Sequence, residues 1–251
     1  MEPKISIITV CYNSEKYIED AIKSVVLQSY KNKEYIIVDG GSTDNTPGII
    51  ERYRNLIDVI IAEPDRGISD AFNKGIKRAS GEIVCIVNSD DMMAADALEL
   101  FAKQYEDGID VFRGSEIIRN FETGKEYVLN PTMTYKKLPF NFQVCHMATY
   151  IRRDAFERFG YYDVDFKCSM DRELLFRFHK QNAKEKRIDG IFGIFRLGGV
   201  SQNTYKSKIV EARRMMEKLD SSRLNTLIYT VYVATRVYLK RCIVSIKNKG
   251  I

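Results

Sequence analysis

The chain has 251 residues, of which 45% are hydrophobic and 29% are charged. This composition is typical of a globular protein with a substantial core, and it excludes a chain that is disordered throughout. The net charge is +5, but residues 221–251 contain six basic and no acidic residues. Because the rest of the chain is therefore close to neutral, we expect no nucleic acid among its partners.

The cysteines and histidines limit the metal chemistry and indicate a compartment. The chain has five cysteines without a CxxC pair and only two histidines, so we expect no zinc cluster. The odd number of cysteines favours free thiols, and residues 1–4 lead into a strand-like run without an export signal. We therefore expect a cytoplasmic protein.

The first half of the chain alternates between strand-like and helix-like patterns. Short apolar runs rich in β-branched residues predict strands at 5–10, 35–38, 59–62 and 82–87. Apolar residues at helical spacing predict helices near 18–26, 46–53, 71–79 and 94–105. Repeated strand–helix units predict an α/β fold with a mostly parallel sheet and helices on both faces.

From residue 111 onward the pattern is less regular. It predicts a hairpin of strands at 111–121 and 127–129, a strand at 148–152, a helix at 170–180 and an extended segment at 186–197. The chain shows no internal repeats and no low-complexity linker. We therefore predict one compact domain over residues 1–205, followed by a helical tail over residues 206–251.

The tail combines apolar, aromatic and basic residues. The apolar stretch 224–244 is interrupted by Arg236, Lys240 and Arg241, which makes it too broken to predict a membrane span. Tyrosines mixed with basic residues are typical of a helix that lies on an anionic membrane surface. The alternative is a helix that packs on the body of the protein or on a second copy in a homodimer.

Polar residues cluster directly after each of the first four predicted strands, at 9–13, 39–44, 63–67 and 88–91. Because the carboxyl ends of parallel strands share one edge of a sheet, the clusters predict a crevice for a nucleotide-sized ligand. The sequence contains neither the glycine motif of dinucleotide-binding enzymes after its first strand nor a phosphate loop with Gly-Lys-Ser/Thr.

The cluster Asn88-Ser89-Asp90-Asp91 has two interpretations on its own. Adjacent carboxylates repel each other and are costly to bury without a cation, which a divalent metal with oxygen ligands would supply. Asp and Ser also cap the amino ends of helices. The residues alone leave the metal site and the helix cap as alternatives.

Several of these segments, in this order, resemble glycosyltransferase family 2. The resemblance rests on residues 5–10 with Tyr12-Asn13, on 38–44 and on 88–91, and it covers roughly residues 4–201. Residues 63–75 resemble the branch of the family that builds bacterial O-antigen and capsule repeat units. The resemblance implies the GT-A fold, which is Rossmann-like, and transfer of a sugar from a nucleotide donor with inversion at the anomeric carbon.

The resemblance also implies roles for individual residues. It implies that Asp90 holds Mn²⁺ or Mg²⁺ on the donor diphosphate, with Asn88 standing where the family has Asp. It implies that Asp171 is the catalytic base and that His146 lies near the acceptor, while a loop at 198–201 closes over the donor. The residues implied in donor binding are Thr9, Tyr12, Asn13, Asp39, Asp65, Asn73, Asn88, Ser89 and Asp91. From the residues alone, Asp171 is more simply an N-cap or first-turn acid of a helix. Asp91 either binds sugar hydroxyls or caps the next helix.

The expected function is therefore an inverting, metal-dependent glycosyltransferase. It would move a sugar from a UDP-sugar to a saccharide on a polyprenyl diphosphate, at the cytosolic face of the membrane, in bacterial surface polysaccharide synthesis. Two alternatives are a nucleotide-sugar-binding protein without catalysis and a sugar nucleotidyltransferase. The latter needs a triphosphate-binding loop rich in Gly, Arg and Lys after the first strand, and this sequence has none there.

Overall fold

The computed structural model describes residues 2–135, 142–197, 205–218 and 222–248. The strands in these ranges are β1 (Ile5–Cys11), β2 (Lys33–Asp39), β3 (Val59–Ala62), β4 (Ile83–Asn88), β5 (Met92–Met93), β6 (Val111–Arg119), β7 (Glu126–Leu129), β8 (Thr149–Arg152) and β9 (Glu185–Arg196). The helices are α1 (Ile18–Val26), α2 (Thr46–Arg52), α3 (Ile68–Arg78), α4 (Ala97–Gln104), α5 (Arg153–Phe159), α6 (Met170–Lys180), α7 (Tyr205–Lys218) and α8 (Arg223–Asn248).

The first four long strands form the parallel part of the sheet, in the order β3-β2-β1-β4. Their register places Cys11 opposite Asp39 and Val10 opposite Asn88, so that three strands end at the same edge. The polar clusters that follow these strands therefore lie together. The predicted α/β class, with a mostly parallel sheet flanked by helices, is confirmed.

The second half extends the same sheet in mixed directions, in the order β8-β6-β9-β5 beyond β4. Strand β8 is antiparallel to both β4 and β6, while β6 runs parallel to β9. The pairing of β6 with β9 shifts register between Arg113 and Glu116. An irregularity of this kind re-aims side chains, and Glu116 is buried immediately after it.

Two apolar layers cover the faces of the sheet, because side chains alternate along each strand. On β1, Ile7 packs into the layer that includes α1, α2 and α4, whereas Ile8 packs into the layer that includes α3, α5 and α6. Helix α3 approaches the sheet closely at Gly75, where an added Cβ would lie 2.5 Å from the Cγ2 atom of Ile8. This close packing holds α3 beside the candidate site.

Four elements of the described residues are absent from the sequence expectations. They are β5, α5 and two 3₁₀ turns, Arg54–Leu56 and His146–Ala148. Strand β5 has two residues and pairs with β9 about a hundred residues later, so no local pattern marks it. Its presence also moves the start of the following helix from the expected 94 to Ala97.

The tail forms two helices, and both bury side chains against the body. Met215 of α7 and Tyr229 of α8 belong to the apolar layer that contains α6. The division between residues 205 and 206 stays a prediction, and the expected loop at 198–201 lies outside the described residues. Among the described residues, no helix combines the length and the hydropathy that crossing a membrane requires.

Candidate active site

Asn13 ties together the loops that follow β1 and β2. Its side-chain Oδ1 accepts a hydrogen bond from the backbone N–H of Thr43 at 2.8 Å, and its own N–H donates to Ser42 Oγ at 2.8 Å. Asn13 has a φ of 48°, a left-handed conformation that Asn tolerates better than most residues. The first two polar clusters of the sequence thus form one connected wall of the crevice.

Asp39 and Asp65 lie next to each other on that wall. Asp39 is buried, and its Oδ1 accepts hydrogen bonds from the N–H and the Oγ of Ser42, at 3.0 and 2.6 Å. The Asp65 carboxylate lies against Gly40, where an added Cβ would be 2.2 Å from Asp65 Oδ2. Only a glycine allows this approach. The two carboxylates therefore mark one end of the crevice.

Tyr12 and Ser89 also lie at this edge of the sheet. The Tyr12 side chain follows β1 and is 62% exposed, so its ring is accessible to a ligand. Ser89 Oγ is 2.8 Å from Ser14 Oγ, and this contact connects the loop after β1 to the loop after β4. The expected donor-binding residues Tyr12, Asn13, Asp39, Asp65 and Ser89 are thus brought to one edge.

Thr9 and Asn73 do not line this crevice, which corrects their expected position. Thr9 is fully buried, and its Oγ1 accepts a hydrogen bond from Tyr35 Oη at 3.0 Å. The Asn73 amide pairs with the backbone of Tyr162, donating to its carbonyl at 2.8 Å and accepting from its N–H at 2.9 Å. Both side chains hold parts of the fold together.

Residues 88–91 form a tight turn directly after β4, in which the N–H of Asp91 donates to the carbonyl of Asn88 at 3.1 Å. Asp91 is buried, and its Oδ1 accepts the backbone N–H of Arg196 at 2.8 Å. Helix α4 begins only at Ala97. Because the helix starts six residues after Asp91, neither Asp90 nor Asp91 caps it, and the helix-cap interpretation of this cluster is wrong.

Asn88 makes a hydrogen bond within this turn that an aspartate could not make. Its Nδ2 donates a hydrogen bond to Asp91 Oδ2 at 3.1 Å, whereas a carboxylate in its place would repel Asp91. The other side-chain atom, Oδ1, is buried and has no hydrogen-bond partner among the described residues. Asn88 therefore stabilises one acid of the turn and leaves one oxygen without a partner.

The turn can accommodate a divalent cation. Burial raises the pKa of both Asp90 and Asp91, and the Asp90 charge raises the pKa of Asp91 further. Carboxylate and amide oxygens such as those of Asp90 and Asn88 are the ligands that Mg²⁺ and Mn²⁺ prefer. The described residues contain no group of three or more acidic, His or Cys side chains placed to hold a metal. The chain thus offers part of a coordination sphere.

Arg196, at the end of β9, is a site residue that the sequence analysis missed. Its Nε donates to the backbone carbonyl of Asp90 at 3.0 Å, and its guanidinium pairs with Asp20 of α1 at 3.0 Å. The same guanidinium lies 3.8 Å from the centre of the Phe121 ring. Arg196 therefore connects the acidic turn to α1 and to Phe121, two parts of the chain that are distant from the turn in sequence.

Asp171 and His146 lie near enough for the Asp171 charge to act on the imidazole. Asp171 lies in the first turn of α6, and its Oδ1 accepts the N–H of Arg172 at 2.7 Å. The His146 ring stacks on Phe72 with centroids 5.3 Å apart, and its Nε2 is buried without a described partner. Burial lowers the His146 pKa, and the nearby Asp171 charge opposes that shift.

Glu116 connects the two sides of the site and was also missed. It is buried on β6, and its Oε2 accepts the N–H of Met147 at 3.3 Å. Burial raises the Glu116 pKa to about 8, and the charges of Asp91 and Asp171 raise it as well. Strand β9 links Glu116 to the 88–91 turn, because Glu116 lies opposite Gly193 of β9 and Arg196 of the same strand donates to Asp91.

Comparison with known proteins gives this site a family context. The profile described as Glycosyl transferase family 2 matches residues 6–175. The chain is 42% identical over 101 residues to TuaG of Bacillus subtilis, named for teichuronic acid biosynthesis, with 39% of this chain and 40% of TuaG covered. It is 31% identical over 160 residues to Escherichia coli WfgD, which is named UDP-Glc:alpha-D-GlcNAc-diphosphoundecaprenol beta-1,3-glucosyltransferase, with 62% and 63% covered. The chain thus spans less than two thirds of either relative.

Solved structures share the fold. Staphylococcus aureus TarS 1–349 in complex with UDP-GlcNAc superposes with a TM-score of 0.64 at 21% identity, covering 89% of this chain and 69% of TarS. The mannosyltransferase PcManGT of Pyrobaculum calidifontis, in complex with GDP-Man and Mn²⁺, gives a TM-score of 0.62 at 14% identity, covering 100% and 80%. At these identities the likeness establishes the architecture alone.

Proposed function

Because this chain belongs to glycosyl transferase family 2, we propose that it transfers a sugar from a UDP-sugar to a lipid-linked saccharide with inversion. The observation that carries the proposal is a set of contacts that links the 88–91 turn to the segment around His146. Asp91 accepts a hydrogen bond from Arg196 of β9, and Glu116, which pairs with β9, accepts one from Met147, the residue after His146. A donor diphosphate at the turn and an acceptor hydroxyl at Asp171 would then flank one reacting carbon. The acceptor class and the role in bacterial surface polysaccharide synthesis follow the names of WfgD and TuaG.

The donor nucleotide is assigned to the wall built from the loops after β1 and β2. The carboxylates of Asp39 and Asp65 can each accept a hydrogen bond, and uracil has an N–H group that can donate one. The exposed Tyr12 ring lies at the same edge of the sheet and offers a face for stacking. We therefore assign the uracil to this end and the diphosphate to Ser89 and Asp90.

Asp90 and the unpartnered Oδ1 of Asn88 are the groups that would hold Mn²⁺ or Mg²⁺. Diphosphate oxygens would complete the coordination, as is usual for these cations. A cation held there would supply positive charge against the negative charge that develops on the departing UDP. Arg196 keeps the backbone of the turn in place, since it holds the Asp90 carbonyl and the Asp91 carboxylate.

The transfer itself requires one base on the acceptor side. Asp171 takes the proton of the acceptor hydroxyl as the oxygen attacks the anomeric carbon, and the bond to the diphosphate oxygen breaks on the opposite face. A single displacement of this kind inverts the configuration. Asp171 lies at the amino end of α6, where the helix dipole stabilises its negative charge. His146, next to it, orients the acceptor.

The proposed transfer is tested by measuring UDP release from a panel of UDP-sugars, with Mn²⁺ and polyprenyl-diphosphate-linked acceptors. We expect turnover with one donor and a loss of about 10³-fold in kcat for D171N, within the range for removing a general base. UDP binding should be unchanged in D171N. UDP binding without turnover in the wild type would support a binding protein, and pyrophosphate release from UTP with a sugar phosphate would support a nucleotidyltransferase.

Helix α8 is assigned to an anionic membrane at the cytosolic face. Leu224, Leu227, Ile228 and Val231 are between 46% and 66% exposed. Their spacing of three and four residues places them on one side of the helix. Residues 221–251 add six basic and no acidic side chains, which complements a negatively charged lipid surface.

Cosedimentation with vesicles tests this assignment. The wild type should bind vesicles that contain phosphatidylglycerol and should not bind pure phosphatidylcholine vesicles. L227E should abolish binding, whereas V210E, at an equally exposed apolar position on α7, should leave it unchanged. Unaltered binding by L227E would contradict the assignment, and a dimer that L227E dissociates would support the alternative of a second copy.

A further inference from the structure

The segment between α5 and α6 determines where Asp171 lies, because it leads directly into the first turn of α6. Neighbouring helices hold its earlier part. Ser69 Oγ of α3 donates to the carbonyl of Phe166 at 2.6 Å, and Asn73 holds the backbone of Tyr162. Arg177 of α6 donates to the carbonyls of residues 159, 160 and 161.

The last three residues before α6 are held by Glu211, from helix α7 of the tail. Glu211 Oε1 accepts the backbone N–H of Lys167 at 2.8 Å. Its Oε2 accepts the N–H groups of Cys168 at 3.1 Å and Ser169 at 2.9 Å. Glu211 is 5% exposed, so these three bonds are shielded from water. One carboxylate therefore fixes three consecutive peptide groups.

These contacts hold the N-cap residue of α6 and the two residues before it. The N-cap residue of α6 is Ser169, and its side chain makes no capping hydrogen bond. Backbone N–H groups at the amino end of a helix require acceptors, and a negative charge there interacts favourably with the helix dipole. Hydrogen bonds to an ionised carboxylate are also stronger than those between neutral groups. Glu211 therefore places a negative charge at the amino end of α6 and fixes the peptide groups that lead into it.

Other contacts from the tail surround the same entry. Arg214 of α7 pairs with Asp165 at 2.8 Å, and Lys218 pairs with Asp163. From α8, Tyr229 Oη accepts a hydrogen bond at 3.1 Å from Arg172, the residue that follows Asp171. The Arg214 pair is exposed on both sides and the Lys218 pair on the lysine side, and ion pairs at the surface contribute little each. Glu211 is distinguished from them by its burial and its three backbone partners.

We propose that Glu211 is a positioning residue for the sugar transfer, which acts by fixing residues 167–169 and hence the direction of the Asp171 carboxylate. The inference rests on the proposed role of Asp171 as the base. It makes α7 a part of the transferase site, in addition to any membrane role of α8. A displacement of about 1 Å at a catalytic group can cost about 100-fold in rate. The loss should therefore appear in kcat.

Steady-state kinetics of E211Q and E211D test the proposal, with E217Q as the matched control. Glu217 lies on the same helix, is exposed and pairs only with Arg213 among the described residues. Gln keeps one acceptor oxygen and loses the charge, so E211Q should lower kcat by about 10- to 100-fold with KM for the donor within about 2-fold. E211D keeps the carboxylate and should recover most of that loss. E217Q should match the wild type.

Hydrogen–deuterium exchange and UDP affinity separate positioning from folding. E211Q should exchange faster at residues 167–173 than the wild type, with the same UDP affinity and the same exchange in β1 to β4. An unchanged kcat in E211Q, or a loss of kcat together with UDP binding, would overturn the inference while D171N still supports the transfer. Full turnover by D171N would overturn the proposed function, and this inference with it.

Discussion

The two sides of the crevice are built in different ways. On the proposed donor side, the residues at the crevice lie at the ends of parallel strands or in the short loops that follow them, and the strand register brings these segments to one edge. On the acceptor side, Glu116, His146 and Asp171 come from an irregular strand, a 3₁₀ turn and a helix. The donor side therefore depends on local segments, whereas the acceptor side depends on long-range packing. Four variants test this contrast.

Removal of Asp90, the proposed metal ligand on the donor side, should have the largest effect. We expect D90A to lower kcat/KM for the donor by about 10³-fold, because the charge developing on UDP would lose the cation that neutralises it. A chelator should cause a similar loss in the wild type and add nothing to D90A. Measurement of UDP release with and without chelator checks this, and a D90A protein that a chelator still inhibits would contradict the role.

Conversion of Asn88 to Asp should destabilise the protein without metal. N88D loses the hydrogen bond to Asp91 and adds a third carboxylate to a buried turn, which should lower the free energy of unfolding by about 3 kcal/mol. Saturating Mn²⁺ should recover part of that loss by binding the added charge. Urea unfolding with and without Mn²⁺ measures both effects. Equal stability of the two proteins without metal would show that the amide bond is unimportant.

On the acceptor side, Glu116 should make stability depend on pH. Its pKa is raised to about 8, so its stabilising contribution is present below the usual pKa near 4.5 and is lost as pH rises through about 8. E116Q removes this titration. Its melting temperature relative to the wild type should therefore increase by several degrees between pH 5 and pH 9, a change of about 2 kcal/mol. A difference that does not vary with pH would contradict the prediction.

A change at Gly40 should have the smallest effect and should stay on the donor side. In G40A the new Cβ displaces the Asp65 carboxylate, which then loses its hydrogen bond from the Gly67 N–H at 2.7 Å. We expect UDP to bind about 10-fold more weakly, and stability to fall by about 1 kcal/mol. Calorimetric titration with UDP measures the affinity. G41A does not serve as a matched control, because Gly41 has a φ of +88° and an alanine there would strain the backbone.

The same contrast explains what the sequence could predict. The strands from 5 to 88 and their loops were predicted because apolar runs and the polar residues after them are local signals. Thr9 was expected in the crevice because it belongs to the segment 5–10 that resembles the family. Side chains alternate along β1, however, and that of Thr9 points to Tyr35 in the core. Asn73 was misplaced because its position on α3 faces the backbone of Tyr162.

The sequence contains fewer local patterns that predict the residues of the acceptor side. Glu116 follows a register shift, and the periodicity of a strand cannot predict where such a shift occurs. Arg196 acts on a turn about a hundred residues earlier in the chain. Asp171 and His146 could be proposed only through the family resemblance, since an acid in a first helical turn and a buried histidine are common features by themselves. Long-range contacts decided each of these positions.

The contact between Glu211 and the entry to α6 has a consequence for exchanging parts between relatives. The family match ends at residue 175, in the middle of α6. A chimera joined at that point would take Asp171, the proposed base, from one parent and Glu211, which holds the backbone before it, from the other. A junction after α7 keeps both in one parent. The segment that should be inherited as a unit is therefore longer than the segment that sequence similarity delimits.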